Sequence, residues 1–352
     1  MSNVLVINSG STSIKYKVFD WKLKLMAEGN EENVQDHEEA LKKILRNIIN
    51  IGEIKAIGHR VVHGGDKFSQ PTIINDEIIK ELEELNNLAP LHNPYNLAGI
   101  KIMRDFLPDT PQIAVFDTAF YFSLPDLARY YALPWKISET YNIRRYGFHG
   151  ISHQFVSEKA AYKLRKKINE INLITCHLGG GWSITAIKAG KPVDTSMGYT
   201  PMEGLIMMTR AGDVDVGIIF SLLNNDEIDS LNKEEHIKNI YKLLNYESGI
   251  KGLSGGINNF KDLLKEKNLG NKKAKLAFDL AIYRLIKYIG AYWFLLDGKV
   301  DAIVFTGGIG AGDPQTRNEV MRKLKFLKKV KTFSIKTDEE LMIAKETIKK
   351  IT

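Results

Sequence analysis

Residues 3–19 read NVLVINSGSTSIKYKVF, and residues 172–190 read NLITCHLGGGWSITAIKAG. The two stretches share one grammar: an apolar run, a turn of small polar residues, then a second strand. In the first, Val4–Ile7 form the run, and Ile14, Tyr16 and Val18 alternate with Lys15, Lys17 and Phe19. In the second, Leu173–Cys176 enter a turn at His177–Gly181, and Ile184–Ile187 form the returning strand. A plain hairpin needs only a Gly or an Asn-Gly pair. The first turn instead spends Asn8, Ser9, Gly10, Ser11, Thr12 and Ser13, with Lys15 just beyond. Hydroxyls, a carboxamide and exposed backbone N–H groups equip it to hold an anion; a solvated Ser-rich turn is the plainer alternative. Neither turn runs into a helix, as a P-loop or dinucleotide-binding unit would. Two such copies, one opening each half, imply an internal duplication.

A third Gly-rich turn, TGGIGAGDPQTR at 306–317, follows the strand Ala302–Phe305 and leads to a helix expected to begin near Pro314. Its glycines at 308, 310 and 312 have the wrong spacing for a dinucleotide fingerprint and come too late in the chain. Glycines between a strand and a helix still suit a nucleotide's phosphates or sugar. Helices are expected around 37–50, 76–88, 95–106, 152–168, 214–224, 273–296, 314–328 and 338–350. The last has Thr337 or Asp338 to cap it, with Glu339 and Glu340 in its first turn.

At 352 residues the chain is long for one core, so two domains are expected. There is no apolar run long enough for a bilayer, and Val4-Leu5-Val6-Ile7 begins without a basic leader, which reads as neither membrane nor secreted. The single cysteine, Cys176, excludes an internal disulfide and a cysteine-built metal site. These features read as cytoplasmic. The net charge of +7 comes with lysines clustered around 234–244 and 322–331, in helical patterns that form no basic stripe interleaved with aromatics. They read as solvated helix faces with a modest pull on anionic substrates, not as a nucleic-acid stripe.

Between the two hairpins lie polar stretches that do not look like core. GHRVVHGG (58–65) sets Arg60 among apolar neighbours; APLHNP (89–94) holds His92 and Asn93 between prolines; FDTAF (116–120) ends the strand Ile113–Phe116 in Asp117. RRYGFHGISH (144–153) offers His149 and His153, and DTSMGYTPMEGLIMMTRAGDVD (194–215) contains Arg210. Each alone has a dull reading, such as a capping Asp or a core His. Two arginines, a histidine and a carboxylate beside three phosphate-type turns describe phosphoryl transfer, whose transition state needs fixed positive donors.

These stretches, with INSGSTSIK (7–15) and TDEELMIAKET (337–347), resemble the acetate kinase family in order from residue 4 to residue 347. The resemblance implies an α/β fold of two duplicated actin-like (ribonuclease H-like) domains with an active cleft between them. The first domain would be 1–116 with a returning helix at 340–352, and the second 117–339, holding the nucleotide and the dimer contact. It also implies roles. Asn8 would lie near the metal and the transferring phosphoryl group, and Glu339 would be the metal-binding glutamate. Lys15, with Ser11 and Thr12, would contact phosphate. Arg60 and Arg210 would grip carboxylate and phosphoryl oxygens, His149 would stabilise the transition state, and Asp117 would be the catalytic Asp. Val62, Leu91, Phe148 and Pro201 would line the acid's alkyl pocket, beside His92. The nucleotide would meet His177, Leu178, Gly179, Gly180 and Gly181, then Asn259 and Lys261, then Gly308, Ile309, Gly310, Ala311 and Gly312. ATP and ADP would be co-substrates with Mg2+, or Mn2+ in its place, in direct in-line transfer without a phosphoenzyme. The partners implied are a small acid, a nucleotide and a second copy of the chain, with no nucleic acid and no membrane.

Departures from the family pattern fall on the nucleotide side. The second turn has Gly180 where the family usually has Asn, and the third has Ala311-Gly312 for the usual Glu-Asn. After SGIKGLSG (248–255), Asn259 and Lys261 stand where an Asp and an Arg are usual, and Tyr121 replaces a common His. One reading is drift with ATP kept as donor; the other is a changed donor, another nucleotide or pyrophosphate. Propionate or butyrate-type kinases are the alternative acid specificities, and a non-catalytic nucleotide-binding module is the alternative class. The chain is also short for this family, so peripheral loops or helices are expected to be trimmed.

Overall fold

Strand β1 (Ser2–Ser9) is apolar on both faces because it lies in the middle of a sheet, with Val4 to Ile7 fully buried. It pairs antiparallel with β2 (Ser13–Asp20), which pairs antiparallel with β3 (Leu25–Glu32). On its other side β1 pairs parallel with β4 (Glu53–Val61). The short β5 (Thr72–Ile73) runs antiparallel to β6 (Gln112–Phe116), and β6 lies parallel to β4. The sheet order is β3-β2-β1-β4-β6-β5. This is a computed structural model, and it describes residues 2–224, 233–327 and 330–352.

The second sheet repeats the pattern. Strands β7 (Leu173–Leu178), β8 (Trp182–Lys188) and β9 (Lys191–Thr195) form the antiparallel meander. Strand β10 (Ala302–Thr306) lies parallel to β7, and β11 (Lys331–Ser334) lies parallel to β10. Read from the meander, the order β9-β8-β7-β10-β11 matches β3-β2-β1-β4-β6 strand for strand and sense for sense. The duplication seen in two hairpins therefore extends to two whole sheets of an α/β fold. The chain divides into two compact units: Met1–Phe122 with Phe148–Phe155 and Asp338–Thr352, and Ser123–Gly147 with Val156–Thr337.

In the first unit the helix His37–Ile48, capped by Asp36, buries Leu41, Ile44 and Ile48 against the β1–β2 hairpin. The C-terminal helix Glu339–Ile351 is capped by Asp338, whose carboxylate accepts from Leu341 N at 3.0 Å. It packs closely on β4: a Cβ added to Gly58 would meet Thr347 and Ile343. In the second unit the helix Lys272–Leu295 buries Ala274, Ala277, Phe278, Ala281, Ile282, Leu285, Ile289 and Tyr292, the spacing of one helical face.

Several boundaries move. The helix expected from residue 95 starts at Asn93, with Pro94 in the first turn where its missing N–H costs nothing. The one expected over 314–328 ends at Lys323, and Lys328 and Lys329 of that basic stretch lie outside the described residues. The helix Lys233–Lys242 falls on the lysine-rich helical pattern around 234–244, whereas the helices Gly249–Ser254 and Phe260–Asn268 were not expected. The turn at 306–312 is not open: Gly307–Gly312 is itself helical, and Asp313 then caps a second helix at Pro314. Among the described residues no helix is long and apolar enough to cross a membrane.

His59 in β4 is fully buried, paired with Gln112 at 2.7 Å, and burial lowers its pKa to about 4. An unfolded histidine takes its proton near 6.5, so between about 6.5 and 4 the unfolded chain binds more protons. Stability from this group is present above about pH 6.5. It is lost as pH falls towards 4, by about 1.4 kcal/mol per pH unit. Urea unfolding at pH 7, 5.5 and 4.5 should show this slope, and His59→Gln should reduce it by that amount.

Candidate functional site

In the first unit the parallel strands β4 and β6 are in register at Arg60↔Val115 and Val61↔Phe116, so both deliver side chains at their carboxyl ends, where open α/β sheets bind ligands. Arg60 Nη2 and Nε donate to Asp117 Oδ2 at 2.7 and 3.2 Å, and Arg60 Nη1 lies 3.2 Å from Glu339 Oε2. Burial lowers the pKa of Arg60, but the charges of Asp117 and Glu339 outweigh it and raise it above its ordinary value. Burial pushes the Asp117 carboxyl upward, Arg60 opposes the rise, and the amide of Ile151 further favours the carboxylate.

The first turn stands beside this pair in sequence order and in fold. Asn8 and Lys15 face one another across β1 and β2, so their side chains share a face of the sheet. Lys15, Ser11 and Thr12 are exposed. Asn8 Nδ2 donates to Glu340 Oε1 at 3.5 Å, and Lys17 Nζ to Asp338 Oδ1 at 2.8 Å. The acidic first turn of the last helix thus splits its work: Glu339 goes to Arg60, Glu340 to Asn8.

His149 sits at the entrance to the helix Gly150–Leu164, its carbonyl accepting from His153 N at 3.0 Å. Its φ of +57° is left-handed, an uncommon state for a residue with a Cβ and one that collects at functional sites. The next residue must be glycine, since a Cβ on Gly150 would strike the Asp117 carbonyl. That approach binds the helix start to the strand end carrying Asp117. Val62 and Phe148 are buried, and Leu91 and His92 are half-buried. Phe148 lies edge-on to His63 at 5.5 Å between ring centres.

The second unit holds a cavity of about 1040 Å³ lined by Gly179 and Gly180 of the second turn, Gly308, Ile309 and Gly312 of the third, and Asn259 and Lys261 between them. Three segments that the sequence scatters over more than a hundred residues line one space. Not every expected residue faces it. The strand β7 runs on to Leu178, whose side chain is fully buried, so only its backbone is available; His177 pairs in the same strand. Gly310 packs on β7, where a Cβ would lie 3.4 Å from Cys176 O. Ala311 offers its carbonyl to Arg317 and to the Ser334 hydroxyl at 2.9 and 3.0 Å.

Arg210 is also in the second unit, largely buried. Nη1 reaches the Pro201 carbonyl at 3.4 Å and the Met207 sulfur at 3.9 Å. Among the described residues no carboxylate lies within ion-pair distance of it. Burial without a counter-charge lowers its pKa from the ordinary value, against a small opposing effect of Tyr246 and Tyr241. Arg210 is a cation presented without an anion.

The family model described as the acetokinase family matches residues 23–345. The chain belongs to the acetokinase family. It is 42% identical to the acetate kinase of Halothermothrix orenii, over 98% of each chain. That alignment runs over 398 positions against 352 residues here, so at least 46 positions face gaps in this chain. Among solved structures, the acetate kinase of Porphyromonas gingivalis superposes with a TM-score of 0.91 at 36% identity, covering all of both chains. A propionate kinase from Francisella tularensis gives 0.89 at 35% identity, covering 99% of each.

Family membership sharpens the departures. Tyr121, in place of a common His, is buried and donates its hydroxyl to the Phe148 carbonyl at 3.0 Å, bracing the backbone beside His149. Asn259 caps the helix Phe260–Asn268 by accepting from Asp262 N at 2.8 Å. A Cβ on Gly180, Gly308 or Gly312 would meet nothing within 4 Å, so these glycines leave the cavity open without any steric need.

Reading the sequence missed two supporting side chains, Asn96 and Thr118, and singled out a third, Asn93, without showing that it braces. Asn96 accepts from Val62 N at 3.0 Å and donates to Ser9 O at 2.6 Å, tying the first turn to the strand end of Arg60. Asn93 exchanges hydrogen bonds with the His63 backbone at 3.0 Å, and the Thr118 hydroxyl accepts from Gly64 N at 2.9 Å. The signal was present in APLHNPYN and FDTAF, but polar residues next to a striking motif read equally well as ligands or braces. Asn96→Ala strands two buried backbone groups, so it should cost about 1–3 kcal/mol in urea unfolding. It should also slow turnover, because both the first turn and the Arg60 strand lose their shared brace.

Proposed function

We propose that this chain is an acetate kinase, moving the γ-phosphoryl group of ATP to acetate to give acetyl phosphate and ADP, reversibly. The observation that carries the reading is Arg210, a largely buried guanidinium with no carboxylate partner among the described residues, in a chain of this family. An uncompensated cation is costly, and an anionic ligand with charge growing on its oxygens repays the cost. A carboxylate oxygen of acetate attacks the γ-phosphorus as the bond to the β,γ-bridging oxygen breaks, and the electron pair leaves on the ADP phosphate. The attack is in line and needs no phosphoenzyme.

In this reading the first unit serves the acid. Arg60 holds its carboxylate while Asp117 fixes the guanidinium plane, and Val62, Leu91 and Phe148 meet its alkyl end. His149, Asn8 and Lys15 donate to phosphoryl oxygens. The second unit serves the nucleotide through the cavity at Gly179, Gly180, Asn259, Lys261 and Gly308–Gly312. Oxygen donors on Asn8, Glu339 and Glu340 suit Mg2+, which keeps waters and phosphate oxygens in its shell. Among the described residues no cluster of three His, Cys, Asp or Glu side chains is arranged as a cage, which fits a metal arriving with the nucleotide. Mg2+ would supply charge neutralisation of the phosphates, and Mn2+ would serve in its place.

A propionate reading has its own support in the 35% identity to a propionate kinase and in the apolar lining. One added methylene changes affinity by only about 1–3 kcal/mol, so both acids are expected to react. We also place the enzyme in the cytoplasm as a homodimer. The helix Val216–Leu223 has no buried residue and exposes Val216, Ile218 and Phe220, an apolar face that a second copy would cover. Sedimentation should give twice the chain mass of 39.8 kDa.

The test is acyl phosphate formation from C2 to C5 acids with ATP, GTP and pyrophosphate, with and without EDTA. ATP with acetate and Mg2+ should be the best combination; no acyl phosphate from any combination would sink the reading, and pyrophosphate outrunning ATP would replace the donor. Arg210→Ala should lower turnover by roughly 10²–10³-fold. Its melting temperature should fall little, because among the described residues the removed charge has no carboxylate partner, only the long contacts to the Pro201 carbonyl and the Met207 sulfur.

A further inference from the structure

Arg210 owes its position to its backbone, since its side chain has no ion pair among the described residues to orient it. The loop that carries it is closed by one carboxylate. Gly204 N donates to Asp213 Oδ1 at 2.8 Å, and Asp213 N returns a bond to Gly204 O at 3.0 Å. The crossing is tight: Gly204 and Gly212 both have positive φ, and a Cβ on Gly212 would lie 2.6 Å from Gly204 O. The other oxygen, Asp213 Oδ2, accepts from Arg284 Nη1 at 3.0 Å and the Tyr288 hydroxyl at 2.9 Å, both on the helix Lys272–Leu295. Inside the loop Met207 N donates to Arg210 O at 3.1 Å.

The residues on either side of Arg210 are anchored as well. Residues Leu243–Glu247 form a π-helical turn, a widening that frees carbonyls from the helical ladder and recurs at functional sites. Leu244 O accepts from Ala211 N at 3.0 Å, and Asn245 O from the Thr209 hydroxyl at 2.9 Å. Positions 209 and 211 are thereby held on the π turn, and the loop base is held on the long helix through Asp213.

We propose that Asp213 is a positioning residue for Arg210: its carboxylate, clamped by Arg284 and Tyr288, closes the loop that aims the guanidinium at the transferring phosphoryl group. This rests on the acetate kinase reading above. Asp213→Asn keeps the shape but gives Oδ2's two donors a poorer partner. Misplacement by about 1 Å can cost a rate roughly 10²-fold, so kcat should fall about 10- to 100-fold with KM for acetate and ATP within about twofold. In the Arg210→Ala background the same change should alter the residual rate by less than about threefold, since residues that act as one unit are not additive. Tyr288→Phe, which removes one donor and keeps the ring, should show the same pattern at about three- to tenfold, and carries the test if Asp213→Asn does not fold. Losses that multiply with Arg210→Ala, or kcat within about threefold of wild type in both variants, would overturn the positioning role. Wild-type acetyl phosphate formation is the control: its absence would fell the functional reading, whereas a normal wild type with silent variants would fell only this inference.

Discussion

A charge taken out of water must find compensation, and Arg60 and Arg210 meet that demand in opposite ways. Arg60 is compensated within its own unit by Asp117 and Glu339. Arg210 has carbonyl and sulfur neighbours and, among the described residues, no carboxylate. The first arrangement fixes a guanidinium in one orientation. The second stores an unmet attraction for anions, which a phosphoryl group in transit would satisfy.

The Arg60 arrangement is a consequence of strand order. Parallel pairing of β4 with β6 brings Arg60 and Asp117 to the same end of a sheet, although they lie 57 positions apart. The last helix returns to that sheet and is allowed to sit close by Gly58, which puts Glu339 beside Arg60. The buried carboxamides of Asn93 and Asn96 then satisfy the backbone groups of the turns, which would otherwise be stranded away from water. In the second unit the parallel pairing of β10 with β7 brings the third Gly-rich segment beside the second.

The cavity of the second unit is lined in part by glycines. Gly180, Gly308 and Gly312 have room for side chains they do not carry, while Asn259 and Asp313 are occupied as helix caps. Family members usually place Asn, Glu, Asp and Arg at several of these positions.

The sequence by itself determined the strand–turn–strand repeat, the α/β class and the family, because these are written as local runs: INSGSTSIK, GHRVVHGG, FDTAF, RRYGFHGISH. It also placed the long helices, whose apolar periodicity is local. It could not show that Gly307–Gly312 coils into a helix, that Leu178 turns inward, or that Glu339 and Glu340 divide between Arg60 and Asn8. Nor could it separate Asn96 and Asp213, which brace, from neighbours that bind. Those outcomes depend on which backbone groups lie across from a side chain once distant strands and helices pack, and burial, register and counter-charge exist only in the folded chain.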